Sequence, residues 1–334
     1  MSKKDSITKS YMQNKETFAD ACNFLLFGGR PVIKPESLEP LDPTSIAISY
    51  DENGVPIPTQ KFRDILKRAT LMKDDRASYL VLGIENQSEV DYAMPVRNMY
   101  YDASHYVGQA EAKSREHRKN GDKPETSGEF LSGFHKTDKL TPVITATVFF
   151  NSGEWTGPRS LHEMLDADEE ILKLIPNYPL RVIVPADFRE EDFSKLSTDF
   201  RLVMECLKYA NDKRKLGEII REDESFQSVA RRTADVINVL TNSNIQFKEG
   251  EERVDMCEAI KGMLNDAREE GLEKGLKKGR EEGREEGREE GVIEEKITVA
   301  NKLLRRGWTI EEIAEILDVS TVDVEIWIND QTQN

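Results

Sequence analysis

The sequence predicts an α/β domain built around a β-hairpin and extended by helices. Three observations carry this. Two apolar strand-like runs, "KFRDILKRATLM" and "ASYLVLGIENQ", flank the short break "KDDR". Periodic helical stretches lie on either side of them. From Glu190 the texture turns wholly helical, ending in a glycine-periodic charged segment.

In order, Lys15 to Leu26 reads as the first helix, with Phe18, Ala21, Cys22, Leu25 and Leu26 on one face, stopped by Gly28 and Gly29. The Pro-rich stretch 31–58 reads as loop with one short strand, Ser45 to Tyr50. After the hairpin, "MPVRNMYYDASHYVGQAEAKSREHRK" is a helix whose first turn suits Pro95. Its apolar spacing (Val96, Met99, Tyr100, Ala103, Val107, Ala110) predicts the buried face, leaving Arg97 and Tyr101 on the polar side. Thr141 to Phe150 and "LRVIVPADF" add two strands. The first domain is therefore residues 1–188, and 189–265 is a helical subdomain with Phe193, Leu196, Phe200, Val203 and Leu207 at core spacing.

Residues 266–297 place glycine at every fourth position from Gly271 to Gly291. A helix advances about 400° in four residues, so these glycines form a slowly drifting stripe. Each costs roughly 1 kcal/mol against alanine, so the segment is either a solvated linker or a helix that orders by self-association. Residues 298–334 have the grammar of a helix-turn-helix, with Thr309 and Glu312 as a capping box. Its second helix offers Asp323, Glu325 and Asp330 and no Lys or Arg, which argues against a DNA-reading helix.

Charge and cysteine usage narrow the function. The net charge is −16; residues 251–334 carry 23 acidic against 13 basic residues, a net −10, which leaves −6 for the rest. This argues against a generally basic nucleic-acid binder, though not against a catalytic domain with a local basic stripe, for which Lys67 and Arg68 are candidates. Cys22, Cys206 and Cys257 form no disulfide framework, and the four histidines show no zinc-ligand spacing. No apolar run is long enough for a membrane span, and the N-terminus lacks a signal-peptide apolar region, so a cytoplasmic protein is expected.

The candidate chemistry lies in the hairpin. A turn at Asp74-Asp75 makes opposed residue numbers sum to a constant, which sets Asp64 against Glu85 on one face. Gln87 shares that face and Asn86 points away. Like charges directly opposite destabilise a sheet, and a hard divalent cation would remove the conflict. A solvent-facing polar edge is the alternative.

"RDILKR…YLVLGIENQS…YAMPVRNMYYDASHY", with "FADACNFLLFGG", "GPRSLHEML" and the glycine-glutamate tail, resembles the recombination-promoting nuclease and transposase family (YhgA-like). That family is a branch of the PD-(D/E)XK nuclease superfamily. The resemblance implies a restriction-endonuclease-like core with a mixed sheet and metal-dependent DNA cleavage linked to recombination. It assigns Asp64, Glu85 and Gln87 as catalytic, with Gln87 standing where the superfamily has lysine. Asp64, Glu85 and the main-chain carbonyl of Asn86 would hold Mg²⁺ or Mn²⁺. Glu16 or Asp20 would add an outer carboxylate; Arg97 and Tyr101 are candidate phosphate contacts. DNA and a second copy of the chain are the expected partners. A non-catalytic assembly protein that retains a nuclease-like fold is the competing expectation.

Overall fold

Two strands of the central hairpin organise the first half of the molecule, seen in a computed structural model that describes residues 3–50, 56–73, 76–243, 245, 247 and 250–331. Strands β1 (Leu38–Pro40), β2 (Thr44–Tyr50), β3 (Pro56–Phe62), β4 (Ile65–Lys73), β5 (Arg76–Gln87), β6 (Val143–Phe149) and β7 (Arg181–Ile183) follow in order. A five-stranded sheet has the order β1-β4-β5-β6-β7; β2 and β3 pair separately. β4 is antiparallel to β1 and β5, whereas β5, β6 and β7 run parallel, so the sheet is mixed.

The hairpin register runs from Ile65↔Ile84 to Lys73↔Arg76, the constant-sum pairing expected from the sequence. The expected turn at Asp74-Asp75 lies outside the described residues. The first arm is shorter than "KFRDILKRATLM" suggests. β3 ends at Phe62 on its own partner β2, and β4 begins only at Ile65.

Helix α2 (Lys15–Phe27) begins where the Asn14 side chain accepts the Thr17 N–H and ends at Gly28, whose φ of 64° suits a residue without Cβ. A preceding helix, α1 (Lys3–Gln13), was not foreseen, because it buries only Thr8, Tyr11 and Met12. Beneath these helices the sheet face is apolar. Leu80, Leu82 and Ile84 alternate along β5, and all are buried.

The other sheet face carries α3 (Met94–Asn120), and here the expected orientation is corrected. Its buried residues are Met94, Pro95, Asn98, Tyr101 and Asp102, while Val96 and Val107 are 39% and 58% exposed. The reason lies in the strands below, which present Glu85, Thr145 and Thr147, all buried. Asn98 Nδ2 donates to Thr147 Oγ1 at 3.1 Å, and Thr145 Oγ1 donates to Asp102 at 2.5 Å. A polar sheet face selects the polar side of the helix, since buried polar groups need partners.

Helices Phe200–Lys208 and Arg231–Thr241 pack on one another and on α2 and α1 respectively. Phe193, Leu196, Phe200, Val203 and Leu207 are all buried, as their spacing requires. Residues 1–260 make one compact unit, so the boundary suggested at 188 falls inside it. Residues 261–334 form the second unit. The helix Met256–Leu304 runs continuously through the glycine-periodic stretch, and Gly275 to Gly291 face open space. Helices Ile310–Leu317 and Thr321–Gln331 close a small core of Ala300, Ile313, Ala314 and Val324, with the Thr309–Glu312 capping box formed. No described helix is long and apolar enough to cross a membrane.

Candidate active site

The chain enters β4 through Arg63 and Asp64, just beyond the last ladder pair Ile65↔Ile84. Here side chains replace the ladder. The Asp64 N–H donates to Glu85 Oε1 at 3.0 Å, and the Asn86 N–H donates to Asp64 Oδ2 at 2.9 Å. The two carboxylates thus meet across the hairpin, each on a main-chain donor of the other's strand.

Glu85 is fully buried and Asp64 half-buried, so the pair runs from the interior to the surface. Glu85 Oε2 accepts Arg97 Nη2 at 3.0 Å. Arg97 is itself held by Asp91 Oδ2 (3.2 Å) and by the Tyr101 hydroxyl (3.2 Å to Nε). Lys9 Nζ of α1 stands 3.7 Å from Asp64 Oδ1. Burial first, and the neighbouring Asp64 second, push the Glu85 carboxyl up to about 7, against the pull of Arg97. Like-charge opposition is therefore present, and the protein's own cations offset part of it.

Gln87 lies two residues along β5 on the Glu85 face and is half-buried; its carbonyl accepts the Phe150 N–H at 2.8 Å. Val81 likewise donates its N–H to Pro142, so odd-numbered residues of this strand turn their main chain toward β6. Asn86 turns its own toward Asp64, which puts its carbonyl on the side of the carboxylates. Its side chain is on the opposite face, with both amide atoms buried and unpaired.

Other sequence candidates are placed differently. Asp20 is 4% exposed, and its carboxylate accepts the N–H and hydroxyl groups of Ser197 and Thr198 at 2.7–3.1 Å. It joins α2 to the helical segment and is not gathered with Asp64. Glu16 is exposed in the first turn of α2, where its own N–H holds its carboxyl below the usual range. Tyr101 is 3% exposed and its hydroxyl accepts Arg97 Nε–H, while Arg97 pairs with Glu85. Lys67, expected in a basic stripe, is buried. Its Nζ donates to the Gln13 carbonyl at 2.7 Å and lies 4.5 Å over the Phe18 ring, and desolvation lowers its pKa to about 8. Arg68 is exposed and 3.6 Å from Glu39. Among the described residues no three His, Cys, Asp or Glu side chains group as a metal site.

Reasoning from sequence missed Lys9, Asp91 and the buried Arg63. The signal for Arg63 was Gly83, an isolated glycine inside an apolar strand, which marks a close approach of another group. Comparison with known proteins adds nothing to this geometry: no family model, curated protein or solved structure matches the chain.

Proposed function

We propose that the chain is a divalent-metal-dependent DNA endonuclease of the PD-(D/E)XK type, acting in DNA recombination or mobile-element activity. The observation that carries this reading is the Asp64–Glu85 pair at the mouth of the mixed sheet, one carboxylate buried and one half-buried. The donor set suits a hard cation, because both side chains and the Asn86 carbonyl offer oxygen. Asp64 Oδ1 has Lys9 only at 3.7 Å, longer than a hydrogen bond, so this oxygen can take a cation. The residues present therefore fit Mg²⁺ or Mn²⁺, held by Asp64, Glu85 and the Asn86 carbonyl.

When bound, such an ion supplies Lewis acidity to a phosphate ester and acidifies water. The chain's own residues do the rest. Arg97, fixed by Asp91 and Tyr101, keeps Glu85 turned toward Asp64. Gln87 orients a water or a phosphate oxygen by hydrogen bonding and carries no proton, since an amide does not titrate in the working range. Residues 261–334 supply self-association, which would pair two sites for cutting two strands.

A non-catalytic assembly protein is the second reading, favoured by one observation: Arg97 and Lys9 already place positive charge on both carboxylates. Nicking of supercoiled plasmid by purified protein separates the two. Cleavage that needs Mg²⁺ or Mn²⁺ and disappears in Asp64→Asn supports the nuclease. No cleavage with either metal supports the assembly protein.

A further inference from the structure

We propose that Arg63 is the positioning residue of the Asp64–Glu85 site, seated across Gly83 so that Tyr101 and Arg97 are held against Glu85. The seat is specific. Arg63 is 3% exposed, and its guanidinium carbon lies 5.1 Å from the centroid of the Tyr101 ring. Nη2 is 3.6 Å from Asp102 Oδ1, and Asp102 is fixed by the Thr145 and Tyr178 hydroxyls at 2.5 and 2.7 Å. The Arg63 N–H donates to the Pro43 carbonyl at 3.1 Å, which anchors the main chain immediately before Asp64.

Gly83 makes room for this. A Cβ built there would stand 2.6 Å from Arg63 Cδ and 2.7 Å from Nη1, distances that real Cβ atoms essentially never show. A side chain at position 83 would therefore have to displace the buried Arg63 guanidinium from its place beside Tyr101. As a stabilising element the arrangement is poor. A buried guanidinium carries a large desolvation cost, its ion pair is long, and Nη1 is buried without a hydrogen-bond partner. An apolar side chain would fill the space at less cost. What the guanidinium adds is a flat cation beneath Tyr101, whose hydroxyl receives Arg97 Nε. The line Asp102–Arg63–Tyr101–Arg97–Glu85 thus ties the floor of the sheet to the buried carboxylate.

The kinetic part of this inference rests on the nuclease reading; the structural part does not, and the test separates them. The variants are Arg63→Met, Arg63→Lys, Gly83→Ala and the Arg63→Met/Gly83→Ala double, each with its melting curve recorded. The structural readout is the Arg97 Nε–H resonance in a ¹H–¹⁵N spectrum, assigned by its loss in Arg97→Lys. The expected result is a wild-type peak that shifts or disappears in Arg63→Met and in Gly83→Ala, with partial return in Arg63→Lys. An unchanged peak in folded Arg63→Met and Gly83→Ala overturns the proposal. If Arg63→Met does not fold, Gly83→Ala, which keeps the guanidinium, decides alone.

The kinetic readout is Mg²⁺-dependent plasmid nicking. Displacing a positioned group predicts a kcat lower by about 10-fold to 100-fold, with KM within about twofold because Arg63 does not touch DNA. Gly83→Ala should add no further loss in the Arg63→Met background, since both act through one seat. Additive losses, or a kcat within about twofold of wild type, refute the role. Wild-type protein that does not nick refutes the nuclease reading alone, and the Arg97 resonance still decides whether Arg63 positions the site.

Discussion

Replacing Glu85 with glutamine tests the electrostatics of the site through stability alone. Burial and Asp64 raise this carboxyl from 4.5 to about 7 in the folded chain. Below pH 4.5 it is protonated whether the chain is folded or unfolded, and it costs nothing. As pH rises from 4.5 to 7, the unfolded chain ionises freely while the folded one resists, so the native state loses stability. The penalty is complete above pH 7. A gap of about 2.5 pH units corresponds to about 3 kcal/mol, of which about 2–3 kcal/mol develops between pH 5 and pH 8. Glu85 is fully buried, so solvent screening takes little of this. Glutamine keeps an acceptor for the Asp64 N–H but turns an NH₂ group toward Arg97, so the informative quantity is the slope with pH. Urea unfolding in EDTA at pH 5 and pH 8 reads it. Glu85→Gln should gain about 2–3 kcal/mol on wild type between those values. A gain under about 0.5 kcal/mol would refute the strained carboxylate.

Asp20→Ala should lower stability by about 3 kcal/mol, because the N–H and hydroxyl groups of Ser197 and Thr198 lose their buried, charged acceptor. A melting temperature lower by about 6–12 °C is expected in calorimetry, and a drop under about 2 °C would show that the helical segment does not depend on this anchor. In nicking assays Gln87→Ala should lose less than Glu85→Ala, and Gln87→Lys should keep substantial activity, since an ammonium can still meet the phosphate. Equal loss in Gln87→Ala and Glu85→Ala, with metal binding intact, would show that the amide does more than orient. Truncation after Asp266 should give monomers with an intact first unit in sedimentation, while the full chain is at least dimeric at tens of micromolar (a rough working range for weak interfaces). A monomeric full chain would make the glycine-periodic helix a spacer.

The hairpin was legible because alternation and a short break fix a constant-sum register, and that register alone brought Asp64 to Glu85. The limits of α2 were legible from Gly28, and the buried face of Phe200–Lys208 from its apolar period. Where side chains were misplaced, the cause is physical: polar residues whose partners lie far away in sequence. Apolar spacing turned α3 the wrong way, because Asn98 and Asp102 meet Thr147 and Thr145 on a distant strand. Lys67 reads as a surface cation, yet it spends its charge on the Gln13 carbonyl and the Phe18 ring. Asp20 reads as a free carboxylate, yet its partners are 177 and 178 positions away. Local pattern carries no record of such pairs. Only Gly83, a gap in an otherwise apolar strand, hinted at the arginine that fills it.

Calorimetric titration of Mn²⁺ into the metal-free chain, wild type beside Asp64→Asn, tests most directly whether this carboxylate pair holds a divalent ion. The pair at the mouth of the sheet predicts one ion for each wild-type chain and none for the variant. Heats that do not saturate in the wild type, or an isotherm unchanged by Asp64→Asn, would contradict it.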